Sequence, residues 1–179
     1  MVYLFLANGF EEIEALAPLD VLRRAGVPVT TVGVGSDSIL GAHGIRVQAD
    51  IPDTLYRDAS PDMIILPGGM PGSEHLDTSR TVDAALCAAA RNDAYLCAIC
   101  AAPMVLGKRG YLQGKRAVCY PGFEEYLKGA AITDARVERD GKVITAKGMG
   151  AALEFGLALV EVLCGKEKAD AIASSVFAQ

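Results

Sequence analysis

Residues 95–106, YLCAICAAPMVL, decide the fold. Tyr95–Ile99 form a continuous apolar run of strand length, as a strand buried on both faces does. Two alanines and Pro103 then open a second apolar run. Proline belongs in the first turn of a helix, where its missing N–H is no loss. A buried strand therefore passes through a tight turn at Cys100 into a helix, predicted over 101–109. This places Cys100 near a helix N-cap, facing free backbone N–H groups and the positive end of a helix dipole. Both lower a thiol's pKa, and Ala101 and Ala102 leave open space beside the sulfur. The expectation is a reactive thiolate; the bland alternative is a small core cysteine.

The same strand-to-helix unit recurs in both directions along the chain. VYLFLA (2–7) is a strand, followed by a helical pattern from about Glu11 to Ala25 that stops at the C′ glycine Gly26. PVTTVGVG (28–35) is the second strand, and ILGAHGIRVQAD reads as a hairpin around Gly41–Gly44. DMIILPGG (62–69) is another buried strand ending in a glycine turn, followed by a helix over 79–91. RAVCYPG reads as strand and turn, and VERDGKVITA as a hairpin with Asp-Gly at its tip. Residues 150–164 and 166–177 read as two closing helices. This alternation predicts a single α/β domain over 1–179, a doubly wound, mostly parallel sheet with helices on both faces. Such sheets bind ligands beyond the carboxyl ends of their strands. The turns NGFEE, GGMPGSE, CAAP and YPGFE are the places where a site belongs.

Composition excludes several classes. The 179 residues are 51% apolar with a formal net charge of −5, enough for one domain with a proper core. No apolar run reaches the roughly 18–20 residues of a membrane span, and no signal peptide is evident. The acidic balance and the lack of a Lys/Arg cluster argue against nucleic acid. Five cysteines without a framework point to a reducing compartment, read as cytoplasmic.

A second anomaly lies in the first helix. Phe10, Glu14, Ala17 and Val21 share one face. A carboxylate on that apolar stripe is partly buried, which raises its pKa, and Pro18 cannot donate to its carbonyl, so a kink is expected. Glu14 is therefore a candidate acid/base or thiol partner. Glu11 and Glu12 suit an acidic N-terminal turn that complements the helix dipole. Asp20 and Arg24, spaced i, i+4, suit a salt bridge on the next face.

Other candidates are weaker. Cys97 and Cys100 make a C-x-x-C, but Cys97 lies inside the strand. Three strand residues span roughly 10 Å, beyond the roughly 7 Å limit for a disulfide. No second C-x-x-C or histidine pair supplies a metal site. Cys87, Cys97 and Cys164 are expected in the core, whereas Cys119, before the YPG turn, is placed to approach the site. Gly68 and Gly69 can aim backbone N–H groups at an anion and form an oxyanion hole beside Cys100. No glycine stretch has dinucleotide or P-loop spacing, so no nucleotide cofactor is expected. Of the two histidines, His75 reads as a surface residue and His43 as a loop residue lining a pocket or interface.

Taken together, NGFEEIEALAPLDVLRRAG, ILPGG, AICAAP, YPGFE and GAALEFGLALVE resemble the ThiJ/PfpI superfamily, most closely its branch of DJ-one-like proteins. The resemblance runs through nearly the whole chain. It implies a flavodoxin-like sandwich, a homodimer, and Cys100 as an elbow cysteine easily oxidised to sulfinate. It makes Glu14 the partner that hydrogen-bonds that sulfur, and Gly68 and Gly69 the glycines beside it. Asp20 and Arg24 fall near the implied dimer contact, with His43 near the pocket across it. Two positions depart: Ala101 stands where protease-like members carry histidine, and Tyr120 where some relatives carry histidine.

The resemblance implies action on reactive dicarbonyls, as glyoxalase III-like hydration of methylglyoxal or deglycation of its adducts. Cys100 adds to the aldehyde, Glu14 shuttles protons, and the N–H groups of Gly69 and Ala101 hold the oxyanion. No cofactor is needed, and the partner is a small carbonyl compound or a glycated adduct. The alternative is an oxidation sensor or redox-regulated chaperone using the same cysteine. A cysteine peptidase is the remaining option, weakened by Ala101.

Overall fold

The computed structural model describes residues 1–57 and 60–178. Its elements in chain order are β1 (Val2–Leu6), α1 (Glu12–Arg24), β2 (Val29–Gly33), β3 (Ser38–Leu40), β4 (Arg46–Gln48), β5 (Ile51–Pro52), β6 (Met63–Leu66), α2 (Gly72–Thr78), α3 (Arg80–Arg91), β7 (Tyr95–Ile99), α4 (Pro103–Lys108), β8 (Arg116–Ala117), β9 (Ala131–Ile132), β10 (Val137–Asp140), β11 (Val143–Ala146), α5 (Ala152–Cys164) and α6 (Lys166–Ser175). Seven strands form one sheet in the order β10-β11-β7-β6-β1-β2-β5. Every neighbouring pair in it is parallel except the β10–β11 hairpin. This is the expected doubly wound α/β architecture.

Side-chain alternation along the strands divides the core. Val2, Leu4 and Leu6 of β1 face α1, α5 and α6, where Leu22, Phe155 and Leu159 are fully buried. Phe5, with Ile64 and Leu66 of β6, faces α2, α3 and α4, where Leu76, Leu86 and Val105 close the other layer. Apolar residues on both faces are why these strands read as unbroken apolar runs. α1 runs through Pro18 without interruption and packs on α5, where a Cβ on Gly156 would lie 2.9 Å from the Pro18 Cα.

The chain winds from β1 outward to β2 and β5, then crosses back to β6, β7 and β11. The direction of winding reverses between β1 and β6, and the carboxyl ends there form the crevice where such sheets hold ligands. Glu11 and Glu14 follow β1, Gly68 and Gly69 follow β6, Cys100 follows β7 and Gly148 follows β11. Four adjacent strand ends therefore converge on one place.

Several details differ from expectation. The helix after β7 begins at Pro103, not 101, because Cys100 takes a left-handed conformation (φ 64°) and residues 100–102 form a turn. Residues 116–122 contribute only the short β8, paired with β9 outside the main sheet. In the last hairpin Asp140 pairs with Val143, so Gly141 and Lys142 form the tip rather than Asp-Gly. Cys164, expected in the core, is exposed at the end of α5, and Cys87 is half-buried with its sulfur accepting from Arg91 at 2.9 Å. Both lie on helices, where a shift of one position turns a residue off the packed face. Cys97 is buried as expected.

Candidate active site

Cys100 sits on a strained elbow. A non-glycine residue at positive φ costs about 1–3 kcal/mol and persists only where its surroundings enforce it. Here Cys100 N–H donates to Ala146 C=O at 2.9 Å, and Cys100 C=O accepts from Tyr120 N–H at 2.8 Å. These bonds tie the elbow to β11 and to the turn after β8. The N–H groups of Gly69 and Ala101 both donate to the sulfur.

Glu14 meets this sulfur from α1. Its side chain is 1% exposed. The Cys100 thiol donates to its carboxylate, and Gly68 N–H donates to Oε2 at 3.0 Å. No side chain fits at position 68: a Cβ there would lie 2.4 Å from Glu14 Oε2 and 2.6 Å from Cys100 Cβ. Glycine is thus what allows base and thiol to approach each other. Burial lifts the Glu14 carboxyl to about 7 from its usual 4.5, and the charge of Glu11 pushes the same way.

The thiol itself does not behave as the N-cap argument expects. The N-cap of α4 is Ala102, and α4 has only six residues, so its dipole is small and does not end on the sulfur. Burial pushes the Cys100 thiol up to about 12; the charge of Glu14 and the hydrogen bond to it add to that. The donors Ala101 and Gly69 work downward and do not win. Cys100 is therefore a protonated thiol held against a base.

The remaining candidates fall into two groups. Tyr120 is close. A Cβ on Gly148 would lie 3.3 Å from the Tyr120 ring and 4.0 Å from Glu14 Oε1. Tyr120, Pro121, Gly148 and Met149 line a cavity of about 450 Å³ there. A cavity of about 640 Å³ lies at the opposite, amino end of the strands, near Met1, Asp62 and Lys142, away from this chemistry. Cys119 is buried in the second core layer, and burial raises its thiol to about 11. Asp20 and Arg24 pair with each other at 2.6 Å on the exposed side of α1, beyond Glu14. Neither histidine hydrogen-bonds to the thiol. His75 Nδ1 lies 2.8 Å from Asn8 C=O, and exposed His43 Nδ1 lies 2.8 Å from Glu12 Oε2.

That last contact gives Glu12, a first-turn acid of α1 as expected, a further part to play. Glu12 is 3% exposed. Its Oε1 accepts the His43 N–H at 2.8 Å and the Ile45 N–H at 3.4 Å, and so clasps the β3–β4 loop to α1. Burial would raise its pKa, but the hydrogen bonds, that of the His43 side chain first, hold it below the usual carboxylate range. Its only signal in the sequence was a loop histidine 31 residues away. Among the described residues, Glu11, Glu12 and His43 are one set whose ligand atoms lie within 4.8 Å of one another. The Glu12 oxygens in that set are already engaged by the loop.

Comparison with known proteins finds relatives over nearly the whole chain. The DJ-1/PfpI family matches residues 1–162. Protein DJ-1 homolog A of Arabidopsis thaliana is 39% identical over 173 residues, 94% of this chain; the chain spans 44% of that protein's length. Protein dj-1beta of Drosophila melanogaster is 36% identical over 96% of this chain and 93% of its own. A Caenorhabditis elegans relative named glutathione-independent glyoxalase DJR-1.2 is 33% identical over 90% of this chain and 87% of its own. Among solved structures, oxidised Toxoplasma gondii DJ-1 superposes with a TM-score of 0.94 at 36% identity, covering 98% of this chain and 97% of that one. By the family match over residues 1–162 and by these relatives, the chain belongs to the DJ-1/PfpI family.

Proposed function

We propose that this protein is a cysteine-dependent enzyme acting on reactive dicarbonyls, hydrating methylglyoxal to lactate or releasing it from thiol and amine adducts. The observation that carries the reading is the Cys100 thiol donating to buried Glu14, with two backbone N–H groups on the same sulfur. A thiol at about 12 is a poor nucleophile by itself. A neighbouring carboxylate with a pKa of about 7 is well matched to take its proton at neutral pH. As Sγ adds to the aldehyde carbon, Glu14 accepts the S–H proton. The new oxyanion is held by the Gly69 and Ala101 N–H groups and is then protonated to the hemithioacetal. Glu14 next moves the proton of that carbon to the neighbouring carbonyl carbon, leaving a 2-hydroxyacyl thioester. Water cleaves the thioester and regenerates the thiol. One carbon is oxidised and its neighbour reduced, so the sum is methylglyoxal plus water to lactic acid, with no external oxidant.

The nematode relative named as a glyoxalase supports this reading. The test is lactate formation from methylglyoxal, with metal and glutathione excluded, by wild type and Cys100→Ala. Turnover that disappears in the variant is expected. Absent turnover in wild type, or turnover that survives the substitution, overturns the reading.

A second reading draws on the relative whose structure is of an oxidised form. Peroxide converts a thiol to a sulfinate by adding two oxygens. The Gly69 and Ala101 N–H groups and a protonated Glu14 would supply donors to it. Two added oxygens confined to the Cys100 peptide, in a protein that forms no lactate, would move the sensor or chaperone role ahead. No histidine is bonded to Cys100, so the peptidase reading lacks the histidine it would use.

A further inference from the structure

We propose that Glu11 is a positioning residue for Glu14: it holds the Glu14 carboxyl against the thiol and sets a second carboxylate beside it. This rests on the reading of Glu14 as the base that serves Cys100.

The geometry is a closed ring of three hydrogen bonds. Glu14 N–H donates to Glu11 Oε2 at 2.7 Å, and Glu11 N–H donates to Gly68 C=O at 2.9 Å. Gly68 N–H donates back to Glu14 Oε2 at 3.0 Å. The next residue, Gly69, sits so close that a Cβ there would lie 2.3 Å from the Glu11 nitrogen. It supplies one of the two N–H groups on the sulfur. Displacing Glu11 would therefore move the base and an oxyanion donor together.

The charge matters as well as the hydrogen bonds. A nearby like charge disfavours ionisation of a carboxyl. The other titratable groups around Glu14 are otherwise engaged. Cys100, from the elbow after β7, donates to it. Tyr120 presents its ring beyond Gly148. Glu12, on the same turn, is clasped to His43. On α5, which packs along α1, Glu154 pairs with Arg136. Glu11 is the charged neighbour that adds to burial in holding Glu14 up.

A helix cap alone needs only an acceptor oxygen, and Glu11→Gln keeps that oxygen while removing the charge. The experiment compares wild type, Glu11→Gln and Glu11→Ala by two readouts between pH 5 and 9. One is the rate of Cys100 alkylation by iodoacetamide, followed by mass spectrometry. In wild type it should rise about tenfold per pH unit and level off near pH 7. Above that point the thiol–carboxyl pair carries one negative charge, whose share on sulfur no longer changes with pH. The other readout is the pH profile of lactate formation, each normalised to its own plateau.

In Glu11→Gln both inflections should move to lower pH. A fall of about half a unit would raise the ionised fraction of Glu14 at pH 6 about two- to threefold. Glu11→Ala should move the inflections likewise and lose plateau rate, because the cap and the ring are broken. Inflections that stay in place in Glu11→Gln overturn the proposal and leave Glu11 as a cap. Should wild type form no lactate, the dicarbonyl reading falls, and the alkylation profile still decides the role of Glu11.

Discussion

Replacing Glu14 by glutamine should stabilise the protein, and increasingly so as the pH rises. Glutamine has the same shape; its carbonyl oxygen can accept the Gly68 N–H that Glu14 Oε2 now accepts at 3.0 Å. It cannot ionise. In the wild type, Glu14 titrates near 4.5 when unfolded and near 7 when folded. A folded-state pKa raised in this way means that the folded chain binds the proton more tightly. Its stabilising contribution is complete below 4.5 and is lost as pH rises through 7. The shift of about 2.5 units corresponds to about 3 kcal/mol at 1.36 kcal/mol per unit. About 2.5 kcal/mol of that develops between pH 5 and pH 8. The side chain is almost wholly buried, so solvent screening does little to reduce the figure. The assay is urea unfolding of wild type and Glu14→Gln at half-unit steps from pH 5 to 8. The difference between the two curves isolates this group from every other that titrates. At 2–4 °C per kcal/mol for a domain of this size, the same effect appears as about 5–10 °C in melting temperature at pH 8 relative to pH 5. A difference that stays flat within about 0.5 kcal/mol over that range would refute the claim that Glu14 is ionised at a cost inside the fold. Such a group, destabilising at working pH yet set against the thiol, is how a site trades stability for reactivity.

Four further outcomes follow from the same geometry. The rate constant for dicarbonyl turnover at low substrate should rise with pH through about 7 and level off, because the carboxylate form of Glu14 is the base; a bell centred below pH 6 would contradict this. Glu14→Gln should lose lactate formation while its Cys100 alkylates faster than wild type at pH 8, since a charge that raises the thiol pKa is gone; slower alkylation, read by mass spectrometry, would argue against it. Gly68→Ala should cost about 1–3 kcal/mol in unfolding experiments and most of the turnover, because its Cβ would overlap Glu14 Oε2 and Cys100 Cβ; an active, equally stable variant would show that the two groups need not touch. Light scattering at micromolar concentration should report about twice the 18.7 kDa chain mass, as the family resemblance implies and as the exposed Ile13 of α1 and Leu153 of α5 favour; a monomer would leave His43 no pocket across a dimer contact.

The central buried strands were readable because their signals are local, whereas the two-residue β5 and β9 were not. Met63–Leu66 and Leu96–Ile99 are buried on both faces and so carry no charged or strongly polar residue. The stop of α1 is written in Gly26 at φ 83°, and the elbow in the proline three residues after Cys100. Glu14 stood out because helix periodicity places it on an apolar face. By contrast, the burial of Glu12, the exposure of Cys164 and the acidity of Cys100 go beyond or against what local patterns indicate. Each depends on groups that chain neighbours do not reveal.

Cys100 shows the division most clearly. Its neighbours alone determine a strand, a tight turn and a helix, and hence a sulfur at a strand's carboxyl end. From those neighbours a helix N-terminus is the only electrostatic influence in sight, and it points toward a lower pKa. The folded protein adds what no local window contains: partial burial of the sulfur against the first core layer and a carboxylate from α1, 86 positions earlier in the chain. Desolvation and a like charge at hydrogen-bonding distance act in a low dielectric and outweigh two N–H donors and a six-residue dipole. Local chemistry determined where the thiol stands; tertiary packing decided that it stands there as a thiol and gave it a base.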